Sequence, residues 1–143
     1  MASGRPDFSS TMVDVVLRRD WAQYEGREIR LGGYSDVAKA FGESKAYTST
    51  PPDDEDWYFT HVSVRNVAEA AADADKDQFV EILIGTPSLT LYKFVCNGGG
   101  IFELPDTIKF AGGAVGDPQV TVVNRANHNT VMGVELHGYI INK

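Results

Sequence analysis

Hydrophobic and polar residues alternate with a period of two through most of the second half of the chain, which is the signature of half-buried strands. Over 57–67, two-residue alternation puts Tyr58, Thr60, Val62 and Val64 on one face and Trp57, Phe59, His61, Ser63 and Arg65 on the other. Segment 79–84 is a strong strand, and Gly85, Thr86 and Pro87 turn it into a second at 89–96. The Asn-Gly-Gly-Gly tract at 97–100 predicts a hairpin turn into 101–104. Segment 107–110 is a further short strand, followed by a glycine-rich loop over 112–118. The last two strands are 120–124 and 130–141, joined by a polar turn at 125–129. In the final one, Met132, Val134, Leu136 and Ile140 share a face, and Glu135, His137 and Tyr139 share the opposite one.

The first half is less regular. Residues 1–11 are rich in serine, with Gly4 and Pro6, and are expected to form a flexible arm. Strand candidates follow at 13–17 and 28–31, the latter closed by Gly32 and Gly33. Segment 35–41 has a capping Ser35, an early Asp36 and a terminal Gly42, which predicts one or two helical turns. Two prolines and an acidic run make 45–56 a loop, and the alanine-rich, acidic stretch 68–77 reads as a loop or a short exposed helix.

About eight short strands with frequent turns predict an all-β chain, a jelly-roll-like antiparallel β-sandwich with one or two short helical turns. The expected organisation is an arm over 1–11 and a single sandwich domain over 12–143. In 79–84 and 89–96 both faces are apolar, so a loop, the N-terminal segment or another subunit must cover the second face.

Charge and composition narrow the function. A net charge of −7 with scattered cations argues against a nucleic-acid partner. No apolar run is long enough to predict membrane insertion. The polar N-terminus predicts synthesis in the cytoplasm without a signal peptide. The one cysteine, Cys96, ends an apolar strand and reads as a small core residue.

Candidate chemistry is sparse. Asp73, Asp75 and Asp77 have the two-residue spacing that opens an EF-hand loop, but Gln78 and Ile84 stand where Gly and Glu belong. Asp53 to Asp56, beside Trp57, could present a carboxylate pair to a sugar, yet neighbours in one loop lack the separation that glycoside hydrolysis requires. His61, Glu135 and His137 are the candidates for a metal site of cupin type, though no two histidines lie close together in one strand. No nucleophile elbow, zinc-protease or phosphate-loop pattern occurs. The reading is therefore a protein that is not an enzyme, with no catalytic, cofactor or metal residues.

The C-terminal third carries a resemblance. Phe-Glu-Leu-Pro at 102–105, Ile-Lys-Phe-Ala-Gly-Gly at 108–113, Val-Thr-Val-Val at 120–123 and Val-Glu-Leu-His-Gly-Tyr-Ile-Ile at 134–141 resemble the closing strands of jelly-roll accessory proteins of bacteriophage particles. That resemblance implies a virion component (a capsid decoration, head-fibre or tail protein) that partners itself, as a homotrimer, and other virion proteins. The alternative is a β-sandwich module that binds a carbohydrate or another surface ligand through Trp57, Tyr58 and Phe59 or through the late loops.

Overall fold

In the computed structural model, residues 27–34, 38–114 and 116–143 are described. The expected arm at 1–11, the strand at 13–17 and the start of the 35–41 segment lie outside them.

Among the described residues, eight strands form two four-stranded antiparallel sheets. Sheet I has the order β1 (Arg27–Tyr34), β8 (Thr130–Asn142), β3 (Glu55–Ala68), β6 (Gly99–Ala111). Sheet II has the order β2 (Ser44–Thr48), β7 (Gln119–Asn124), β4 (Phe79–Thr86), β5 (Leu89–Asn97). This order is that of a jelly roll: β4 and β5 form a hairpin, and every other pair of consecutive strands is split between the sheets. A single 3-10 turn, Ala71–Asp73, is the helical content of the described residues.

Several local expectations change. The glycine tract after Asn97 is no hairpin turn: it carries the chain from the edge of sheet II to the edge of sheet I. The turn at 125–129 likewise crosses between sheets, so β7 and β8 are not paired. The predicted strands at 101–104 and 107–110 are one strand, bent where four residues, Leu104 to Thr107, face only Thr60 across the pair. Pro105 is tolerated there because β6 is an edge strand. Segment 45–56 holds most of β2, which pairs with β7, and the first two residues of β3. In 35–41, the described part forms a bridge from Lys39 to Thr130 and then a turn, with no helix.

The largest correction lies in β3. A bulge at Thr60 shifts its register against both neighbours, between Phe59 and His61. One extra residue reverses the faces beyond it. Trp57 and Phe59 therefore point inward with Val62 and Val64, while Tyr58, His61 and Ser63 face out. Gly138 sits opposite Phe59, where an added Cβ would lie 1.7 Å from the Tyr58 carbonyl oxygen.

The core fills the space between the sheets, as in other sandwiches. Phe59, Ile82, Ile84, Met132 and Leu136 are fully buried. Phe59 packs edge-on against Trp57 at 6.5 Å and Phe110 at 5.9 Å, and Phe94 meets Phe102 at 5.3 Å across the open edge. Cys96 is part of this packing, and burial pushes its thiol pKa up.

Candidate functional site

Three surfaces carry the chemistry that the strands leave outside the core. On the outer face of sheet I the register lines up Arg30, His137, His61 and Glu103 across all four strands. The next row along β8 and β3 pairs Glu135 with Ser63. His137 shares a 2.8 Å hydrogen bond with the Ser63 hydroxyl, and His61 one of 2.8 Å with Thr60. The suspected His61, Glu135 and His137 thus do share a face, brought there by the β3 bulge. Among the described residues, no group of three or more His, Cys, Asp or Glu side chains is placed to hold a metal ion.

Beside this row, Tyr58 and Tyr139 stack at 5.1 Å with their planes 7° apart. On the other side of Tyr58, the Lys109 ammonium lies 5.8 Å from its ring centre. Both faces of Tyr58 are therefore engaged, and Trp57 and Phe59 are buried. None of these three aromatics, read from the sequence as a ligand platform, offers a free flat ring.

The acidic residues that open β3 are used structurally. Glu55 accepts a 3.0 Å hydrogen bond from the Trp57 indole and pairs with Arg27, and these bonds, the first above all, hold its pKa below the usual carboxylate range. Asp56 lies 3.6 Å from both Lys109 and Lys143.

The outer face of sheet II is apolar at its β5 side. Leu91 and Val95 are 46% and 55% exposed, with Leu83 between their strand and β7. Tyr92, Phe94 and Cys96, the alternate residues, are turned into the core. At the centre, Glu81 is buried, held by Arg125 at 2.8 Å and Lys93 at 3.3 Å. The sequence signal for this group was a lone acid inside the apolar run of β4.

The third surface is a cleft of about 410 Å³ at one end of the sandwich. One wall is the loop of Asp75 and Asp77, the other holds Asn127 and His128, and Phe79 lies between them. Gln78, itself buried, ties the walls together. Its amide nitrogen donates to the carbonyls of Asp73 at 2.8 Å and Lys76 at 2.9 Å, and its oxygen lies 2.7 Å from His128 Nε2. Buried Asn124 holds the second wall, donating to the His128 carbonyl at 2.9 Å and accepting from the Ala126 amide at 2.8 Å. The cleft joins residues about fifty positions apart, so no local pattern announced it. Only the EF-hand-like spacing of Asp73, Asp75 and Asp77 drew notice to one wall, and there Asp73 is taken by Lys76 at 2.7 Å.

No family model matches the chain, and no curated protein does. Among solved structures, the chain is similar to the functional form of the mosquito-larvicidal Cry4Aa toxin from Bacillus thuringiensis. That match has 10% identity and a TM-score of 0.43, over 81% of this chain and 24% of the toxin chain. It is also similar to the CBM36-1 domain of a multidomain xylanase from the hindgut metagenome of Trinervitermes trinervoides. There the identity is 13% and the TM-score 0.36, over 77% of this chain and 96% of that domain. The chain spans about a quarter of the toxin's length.

Proposed function

We propose that this chain is a non-enzymatic accessory component of a virus particle, seated on a neighbouring protein through the outer face of sheet II. The observation that carries this reading is the exposed apolar surface of Leu91 and Val95, with half-buried Leu83 beside them, on a sheet whose other side packs the core. Covering large apolar side chains yields roughly 1.5–3 kcal/mol each, so a few of them supply a substantial driving force for docking. The resemblance of the C-terminal third to phage accessory proteins makes the neighbour a second copy or another virion protein. A net charge of −7 keeps the free protein soluble before assembly.

The test pairs sedimentation with microscopy. The wild-type chain is expected to self-associate, or to decorate particles seen by electron microscopy, while a Leu91→Glu, Val95→Glu variant stays folded and does neither. A wild-type chain that remains monomeric and labels no particle rules the proposal out.

A second reading, a module that binds a carbohydrate or another surface ligand, is favoured by the end cleft. It is formed by the late loop at 125–128 and has a volume within the ~300–1,000 Å³ of small-molecule sites.

A further inference from the structure

We infer that the end cleft takes a neutral pyranoside, with the ring of Phe79 under one face of the sugar and Asp75, Asp77 and Asn127 on its hydroxyls. The inference rests on the reading of this chain as a ligand-binding module and names the ligand class of that same cleft.

Preorganisation is the first argument. Both walls are fixed before any ligand arrives, because Gln78 bridges the Asp73–Lys76 loop to His128 and Asn124 pins the loop beyond β7. The two walls also share a backbone bond, from the Arg125 amide to the Phe79 carbonyl at 2.9 Å. A site whose parts are already held loses less freedom on binding.

Chemistry is the second. Phe79 is 41% exposed although it opens a strand whose alternate residues are buried, and it lines the cleft. An aromatic ring beside polar groups suits a molecule with one apolar C–H face and a rim of hydroxyls. Asp75 and Asn127 make no hydrogen bond among the described residues, and Asp77 uses one oxygen to accept from Asn97 at 3.1 Å. The groups with unused capacity are thus the Asp75 carboxylate, one oxygen of Asp77 and the Asn127 amide, which accept from and donate to hydroxyls.

Charge is the third and separates the ligand classes. Lys76 and Arg125 line the cleft but are already paired, with Asp73 at 2.7 Å and Glu81 at 2.8 Å. Among the described residues of the cleft, an anion therefore finds no lysine or arginine without a carboxylate partner, and it meets two carboxylates. A cation meets those carboxylates with two fixed positive groups beside them. A neutral polyhydroxylated ligand is opposed by neither.

The experiment is a nitrogen-15 correlation titration of the full chain with the methyl glycosides of glucose, galactose, mannose and xylose. Inorganic phosphate and methylammonium serve as the charged probes. At least one glycoside is expected to shift the amides of 75–79 and 125–128, with a dissociation constant on the order of 1 mM. Phe79→Ala and Asp75→Ala, each checked for an unchanged fold by its dispersed spectrum, should weaken that binding about fivefold to tenfold. Asp75 lies in an exposed loop, so its variant keeps the test open if Phe79→Ala fails to fold. Glycoside binding unaltered in the folded variants overturns the inference. If phosphate or methylammonium shifts these amides and no glycoside does, the pyranoside assignment fails while the ligand-binding reading survives. If no probe shifts them, both fail.

Discussion

Arg125, just beyond β7, donates a 2.8 Å hydrogen bond to Glu81 at the middle of β4, and so closes a charge pair over the outer face of sheet II. Glu81 is buried and its pKa is held below the ordinary glutamate value, first by this bond and further by Lys93. A carboxylate depressed in the folded state adds stability that is complete above its unfolded pKa and is lost as pH falls through the folded value. Arg125→Gln is expected to cost about 1 kcal/mol near neutral pH, because Arg125 is 42% exposed and Lys93 still faces the carboxylate. Urea midpoints measured from pH 7 down to strong acid check this: the variant should lose less stability on acidification than the wild type. Parallel curves would show that the pair carries no linkage.

The β3 bulge makes neighbouring aromatics unequal. Phe59 is fully buried between Trp57 and Phe110, so Phe59→Ala should cost about 3–5 kcal/mol. Tyr58 sits outside, against Tyr139 and Lys109, and Tyr58→Ala should cost about 1–2 kcal/mol. Thermal melts of the two variants decide the matter, and a reversed order would mean that β3 has no bulge at Thr60.

Gly138 provides a second probe of the same place. A Cβ there would meet the Tyr58 carbonyl carbon at 2.6 Å as well as its oxygen, and backbone cannot step aside without opening the sheet. Gly138→Ala should therefore cost about 3 kcal/mol or more. Gly42 has a φ of 83° but open space around it, so Gly42→Ala should cost only about 1–2 kcal/mol. Comparison of their melting temperatures separates a steric effect from a backbone one.

Asn124 is the polar anchor of the cleft. It is fully buried and serves the Lys39 carbonyl at 2.7 Å, the His128 carbonyl at 2.9 Å and the Ala126 amide at 2.8 Å. Asn124→Ala should cost about 3 kcal/mol, since it leaves several buried backbone groups without a partner. Hydrogen exchange should accelerate first at 126–130, ahead of the core of sheet I. Uniform acceleration across both sheets would show that the anchor acts on the fold and not on the loop.

Residue order alone determined the class of the fold and much of the core. Alternation in β8 put Met132, Val134, Leu136 and Ile140 on the buried side, where they lie, because period-two burial is a local property of a strand. The same logic failed across Thr60, since a bulge is one unpaired residue whose presence depends on the partner strands. It failed again at Asn97 and Arg125, where turn-forming residues bend the chain equally well into a hairpin or across the sandwich. Which happens is decided by how the sheets bury their faces. The acidic residues near 75 and the loop near 127 were each visible in the sequence as solvated polar stretches. Only the packing of β4 against β7, with Gln78 and Asn124 buried at that end, brought them around Phe79 into one cleft.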